Sequence, residues 1–280
     1  MSVVLHVSDP HFGTEQAPVV AALLALAEAE APDLVVLSGD VTQRARSHQF
    51  DAARAFVERL APRVVLTIPG NHDIPLYNVA ARALAPYAGF HRAFGPELEP
   101  AHVTADLCVV GLNTTRPWRH SEGEVSPRQV ERSSRRFAES PAAALRIAVV
   151  HQPVAVIEMS DRANLLHGRE PAVRQWAGAG CDLVLGGHIH LPYVVDLRRS
   201  FRELACPVWA VQAGTALSSR VRGNVPNSVN LIRYDASTRQ RECTVERWDC
   251  SLPAGRFVLE HGVQQALGDR VSAVNGGDGA

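Results

Sequence analysis

The chain has 280 residues, 46% of them apolar and 20% charged, enough for one large domain or two small ones around a sizeable core. Its formal net charge is −1 and its sequence pI is about 6.9, which excludes the overall basic balance of a nucleic-acid binder. The five cysteines (Cys108, Cys181, Cys206, Cys243 and Cys250) are odd in number and form no CxxC, against a disulfide framework and for a reducing compartment.

Val3–Ser8 opens the chain as an apolar strand, with neither the basic start nor the cleavage site of a secretory signal, and runs straight into Asp9-Pro10-His11. Val20, Leu23, Leu24 and Ala27 recur at helical spacing; the surrounding apolar stretch, Ala17–Ala27, is too short to span a bilayer. Leu34–Ser38 reads as a second strand and ends on Gly39-Asp40. Phe50, Ala53, Val57 and Leu60 mark a second helix, and Val64–Ile68 a third strand closing on Gly70-Asn71-His72-Asp73. Tyr87–Pro100 is of mixed polarity, a lid or a plain connector. Leu107–Leu112 is the next strand. It leads through Asn113, which either faces a site or caps its own loop, into a loop carrying Arg116, Trp118, Arg119 and His120. Ser126-Pro127-Arg128-Gln129 then opens a helix as a capping box with proline at the first position. Arg128, Arg132, Arg135 and Arg136 on that helix read as a solvated face. Ile147–Val150 ends on His151, and Leu183–Leu185 on Gly186-Gly187-His188-Ile189-His190. Val208–Val211 is a further strand, while Ser228–Tyr234 and Cys243–Trp248 alternate and suit a sheet with one wetter face. No repeat or linker divides the chain, so residues 1–261 read as one catalytic domain and 262–280, ending in Asn-Gly-Gly-Asp-Gly-Ala, as a mobile tail.

The first seven strands are rich in Val, Leu and Ile and alternate little, as strands covered on both faces do, and their alternation with helices implies a layered α/β domain. Five clusters stand directly after strands, and strand C-termini in an α/β fold gather on one edge. The clusters offer Asp9, His11, Asp40, Asn71, His151, His188 and His190: two carboxylates, four imidazoles and one amide oxygen. That set suits Mn, Fe, Zn or Co rather than Ca, and it contains no thiolate. In Asp9-x-His11 and His188-x-His190, alternate residues of an extended segment point the same way. His6, His48, His91, His102, His167 and His261 read as ordinary core or surface histidines; His120 has a stronger claim, near Arg116 and Arg119.

Taken in order, DxH, GD, GNHD, H and GHxH resemble the calcineurin-like metallophosphoesterases over roughly residues 3–250. Gly123–Gln129 is similar to the loop-to-helix segment of their bacterial class III cyclic nucleotide phosphodiesterase branch. The resemblance implies a four-layer α/β/β/α sandwich of two mixed sheets. It also implies a dinuclear centre, with Asp9, His11, Asp40 and His190 on one ion, Asp40, Asn71, His151 and His188 on the other, and a bridging hydroxide that attacks the phosphoester. His72 resembles the family's outer histidine, which contacts phosphate or protonates the leaving group, with Asp73 to orient it. Gly39–Arg44 has the GDxxxR spacing of serine/threonine phosphatases, whose arginine binds phosphate; Ala45 stands where that pattern has glycine. The expected protein is a cytoplasmic phosphodiesterase or phosphatase with two transition-metal ions, acting on a small phosphorylated, nucleotide-like substrate, with the Arg116–Gly123 loop shaping specificity. A homodimer is left open and no membrane partner is expected. A nuclease would need a basic groove, a sugar-nucleotide hydrolase of lipid A assembly an apolar acyl groove, and a decayed binding scaffold would have lost donors; none of these is visible.

Overall fold

A computed structural model describes residues 1–60 and 63–268. Among the described residues, twelve strands and six α-helices follow in the order β1 (Ser2–Val7), α1 (Ala17–Glu30), β2 (Leu34–Ser38), α2 (Ser47–Arg59), β3 (Val64–Ile68), α3 (Val79–Leu84), α4 (Ala88–Phe94), β4 (Ala101–Val103), β5 (Leu107–Gly111), α5 (Pro127–Glu139), β6 (Leu145–Val149), α6 (Arg169–Gly178), β7 (Leu183–Gly186), β8 (Tyr193–Asp196), β9 (Trp209–Gln212), β10 (Ser228–Tyr234), β11 (Glu242–Ser251) and β12 (Arg256–Ala266). They form two six-stranded mixed sheets, ordered β12-β11-β10-β1-β2-β3 and β4-β5-β6-β7-β9-β8. In the first, β1, β2 and β3 are parallel and the other pairings antiparallel. In the second, β5, β6, β7 and β9 are parallel, with β4 and β8 antiparallel at the edges.

Successive side chains of a strand face opposite ways, so a strand with both faces covered feeds two cores at once. Along β1, Val3, Leu5 and Val7 join Val35 and Leu37 of β2 under Leu23 of α1 and Phe50 of α2. Val4 turns the other way and packs with Val36 and Ile68 against Val109, Ile147 and Leu185 of the second sheet. The outer face of that sheet, Val110, Ala148 and Val184, is covered by Phe137 of α5 and Trp176 of α6. Three stacked cores make the four-layer α/β/β/α sandwich, and they explain the unbroken apolar runs of the central strands.

The capping box forms as read: Ser126 Oγ accepts from Gln129 N (3.3 Å) and Gln129 Oε1 accepts from Ser126 N (2.9 Å). The four arginines of α5 are all exposed, as a solvated face requires. Tyr87–Pro100 is a packed connector rather than a lid, because Phe90 is fully buried in the core beneath α2. The expected tail begins too early: β12 pairs with β11 as far as Ala266, placing Gly262–Ala266 in the sheet. Residues 269–280 of that tail lie outside the described residues. Among the described residues no helix is long and apolar enough to cross a membrane.

Candidate dinuclear metal centre

The C-terminal ends of β1, β2 and β3 from one sheet and of β6 and β7 from the other meet at one edge, so each loop delivers its donors to the same place. Asp9, His11 and His190 form one group, and Asp40, His151 and His188 a second, the donor atoms in each lying within 4.8 Å of one another. Asn71 joins the second, its Oδ1 3.2 Å from His151 Nε2. Asp40 touches both: Oδ1 lies 3.2 Å from His151 Nε2, and Oδ2 3.8 Å from His11 Nε2. Asp9, His11, Asp40 and His151 are buried, while Asn71, His188 and His190 are half-buried and form the opening.

The backbone at these positions is unusual. Seven non-glycine residues among those described have a left-handed φ, and five of them are donors: Asp9 (50°), His11 (46°), Asp40 (49°), His188 (73°) and His190 (56°). Side chains with a Cβ resist this conformation, and such residues concentrate at functional sites. It also corrects the extended geometry read into the two x-spaced pairs. Asp9 and His11 stay in one group, but His188 and His190 diverge into different groups. Gly70 and Gly187 permit the close approach. A Cβ on Gly70 would collide with the backbone and carboxylate of Asp40, and one on Gly187 with Ser8 Oγ and the Asp9 carboxylate.

Hydrogen bonds set the imidazole tautomers. His151 Nδ1 meets Ser38 O (2.8 Å) and His190 Nδ1 meets Arg220 O (2.7 Å). A carbonyl can only accept, so each Nδ1 carries the proton and each Nε2 is left with a lone pair for a cation. Asp9 Oδ2 accepts from Ser8 Oγ (2.6 Å) and His188 N (2.9 Å). The remaining oxygen, Oδ1, is buried and accepts no hydrogen bond, although His190 Nε2 is 3.3 Å away. His11 Nε2 and His190 Nε2 face each other at 3.1 Å. Lone pairs converging on a buried, unpaired carboxylate oxygen are the arrangement a cation resolves.

The electrostatics agree. Burial alone would raise Asp9 and Asp40, but surrounding imidazoles, His190 at Asp9 and His151 at Asp40, outweigh it and hold both below the usual carboxylate range. Burial pushes His11 down to about 3 and His188 to about 4. At His151 burial acts the same way, but the charge and hydrogen bond of Asp40 outweigh it and lift the imidazole to about 9. The donor set and its charge balance therefore fit two divalent ions.

His72 borders this centre, its ring centroid 4.9 Å from that of His11. Asp73 does not orient it. The Asp73 carboxylate accepts from the backbone N–H groups of Val41 (3.0 Å), Thr42 (2.7 Å) and Gly70 (2.9 Å) and from Thr42 Oγ1 (2.8 Å), so it braces the two loops that carry Asp40 and Asn71. The His72 ring is held instead by Gln43 O, which accepts from Nδ1 at 2.8 Å. Arg44 is exposed, with its guanidinium 5.6 Å above the Tyr77 ring. Asn113 caps its loop, accepting from Thr115 N (3.0 Å) and Oγ1 (2.6 Å). In the Arg116–Gly123 loop, Arg116 bonds to Asn113 O and Gln129 Oε1, and Arg119 pairs with Glu122 and Glu124. His120 and Ser121 of that loop line the cavity over the metal-type residues, a space of about 560 Å³. Sequence reasoning missed the loop after β9, which brings Arg220 and Arg222 to the same cavity. No motif marks it, but it follows a strand that is legible in the sequence, at the same sheet edge.

The fold and paired donor groups define a metal-dependent phosphoester hydrolase. A sequence profile of calcineurin-like phosphoesterases matches residues 2–192, and the chain belongs to that family. It is similar to a probable cyclic nucleotide phosphodiesterase of Synechococcus sp., 26% identical over 201 residues that make up 71% of this chain and 74% of the relative. A dimetal phosphatase from Danio rerio shares the fold at a TM-score of 0.67 with 10% identity, over 95% of this chain and 99% of that one. Purple acid phosphatase PPD1 from yellow lupin does so at 0.65 with 13% identity over 95% of this chain; the match spans 53% of the lupin chain, about half its length.

Proposed function

We propose that this protein is a phosphodiesterase acting on a small, nucleotide-like phosphodiester. The observation that carries the reading is the shared position of Asp40, whose two oxygens reach both donor groups beneath a cavity of about 560 Å³. That volume suits a small ligand rather than a polymer. The similarity to a probable cyclic nucleotide phosphodiesterase supports the diester, and the net charge of −1 offers no general attraction for nucleic acid.

Asp9, His11, Asp40 and His190 would hold one ion and Asp40, Asn71, His151 and His188 the other, from Mn, Fe, Zn or Co. Two such ions supply Lewis-acid activation of water and neutralise charge on phosphoryl oxygens. The chain provides the rest. Ser8 and the His188 N–H hold Asp9, and the His72 N–H donates to Asp40 Oδ1 at 2.8 Å, so neither bound carboxylate is free to rotate. His72, its Nδ1–H tied to Gln43 O, lines the cavity, and we assign it to a phosphoryl oxygen or the leaving group, a role that requires a proton on Nε2. No disulfide joins the five cysteines, as in a reducing compartment, and we place the enzyme in the cytoplasm.

Protein loaded in turn with each metal should be assayed against 3′,5′-cyclic nucleotides, acyclic phosphodiesters and phosphomonoesters. Higher kcat/KM on the diesters is expected. Preference for monoesters would make it a phosphatase, preference for oligonucleotides a nuclease, and either would sink this reading.

A further inference from the structure

The loop after β9 carries two arginines with different surroundings. Arg222 is consumed: Nη1 donates to both oxygens of Asp161 (3.0 and 2.8 Å) and to Ile189 O (3.2 Å), and Nη2 donates to Glu158 (3.0 Å). Arg220 is exposed and, among the described residues, meets no carboxylate. Its Nη1 donates to Gln43 Oε1 at 3.1 Å and faces His72 Nε2 at 3.4 Å, neither of which carries a negative charge. Because Gln43 O holds the proton on His72 Nδ1, the Nε2 that meets Arg220 is a lone pair.

Both ends of this residue are fixed. The Arg220 carbonyl accepts from His190 Nδ1, and Arg222 ties the same loop to the carbonyl of Ile189, between His188 and His190. The guanidinium thus stands on the wall of the cavity beside the donor groups, with its charge uncompensated and most of its N–H groups unspent. A rigid fork of donors with no acid to neutralise it matches the spaced oxygens of a phosphoryl group. Arg44, the arginine singled out by sequence, sits over Tyr77 in an adjoining recess of only about 30 Å³.

We propose that Arg220 anchors the phosphoryl group of the substrate, with Gln43 and His72 positioning its guanidinium. This rests on the phosphohydrolase reading above. The test uses manganese-loaded wild type, Arg220→Gln, Arg220→Lys and Arg44→Gln, with inorganic phosphate as the calorimetric probe and bis(p-nitrophenyl) phosphate as the substrate. Loss of one charge-assisted fork should weaken phosphate binding and raise KM by about 10–100-fold in Arg220→Gln, with metal content unchanged and partial recovery in Arg220→Lys. Arg44→Gln should leave phosphate affinity within about threefold, as an exposed arginine outside the cavity would. Unchanged phosphate affinity in Arg220→Gln, no phosphate binding by wild type, or loss of metal in Arg220→Gln would each overturn the proposal. If wild type binds phosphate but turns over no ester, the hydrolase reading falls while the Arg220 assignment is still decided by calorimetry.

Discussion

Five of the proposed metal-binding residues hold a left-handed backbone, and each such turn costs on the order of 1 kcal/mol or more before any ion is bound. Neighbouring bonds impose it: Asp9 N donates to Gly39 O and His11 N to Asp40 O, so the β1 and β2 loops fix one another. His72 lies just outside this frame. To act as a general acid His72 would have to carry a proton on Nε2 and release Arg220; on that reading His72→Ala should keep both ions and lose about 10²–10⁴-fold in rate on an alkyl phosphodiester, with a smaller loss on a p-nitrophenyl ester that needs no proton. Equal losses on both would assign His72 to phosphate positioning. A second histidine answers to pH. His6 is fully buried; its Nε2 donates to Ser38 Oγ (2.8 Å), which donates to Ser8 Oγ (2.8 Å), which donates to Asp9. Burial, only partly offset by Asp9, pushes its imidazole down to about 3. Below pH 6.5 the unfolded chain therefore takes up a proton that the folded chain refuses, and the stability present above 6.5 is lost as the pH falls towards 3. The slope is about 1.4 kcal/mol per pH unit, so denaturation at pH 7.5 and 5.0 should show His6→Gln spared about 2 kcal/mol of the wild-type acid loss. Equal acid losses in the two proteins would contradict a neutral His6.

At the scale of elements, α5 is fastened by its capping box, and Ser126→Ala should cost about 1 kcal/mol by urea denaturation while leaving kcat unchanged. A change in activity instead would show that the helix start shapes the site through Gln129, which also bonds Arg116. This helix was legible because caps are local chemistry. The central strands were legible because burial on both faces forces continuous apolar runs, and the metal-type residues because they follow those runs. Other elements carried weaker signals. α1 is apolar nearly all round, so apolarity could not phase it: Val19, Ala22, Leu23 and Leu26 are buried, while Val20 and Leu24 of the expected stripe are only partly so. β12 is an edge strand with Glu260, His261 and Gln264 exposed, and its polar residues masked a pairing that depends on β11. β8, four half-buried residues at the other edge, offered too short a pattern. Arg220 escaped because a lone arginine in a loop has no local signature; only its place beyond β9 gives it meaning.

Across the whole molecule, each proposed ion draws donors from both sheets: Asp9, His11 and Asp40 with His190 on one side, Asp40 and Asn71 with His151 and His188 on the other. Binding therefore clamps the sandwich as well as preparing it for chemistry. At metal concentrations near 1,000 times the dissociation constant the linkage is worth about 4 kcal/mol, so chelation should lower Tm by on the order of 10 °C. Asp40→Ala, which serves both ions, should reproduce most of that shift in unchelated protein, with metal content near zero. An Asp40→Ala protein with two ions and wild-type Tm would refute the shared role. The pairing of β1 with β10, from Ser2 with Tyr234 to His6 with Asn230, adds a consequence in time. During synthesis from the N-terminus, all seven donors have been made once His190 is added. The strand that carries Asp9 and His11 still lacks its antiparallel neighbour, which arrives only with residues 228–234. A nascent or truncated chain ending after β9 would thus own the complete donor set without the sheet that presents it. Correct metal capture is accordingly a late event, completed by the part of the chain that contributes no donor.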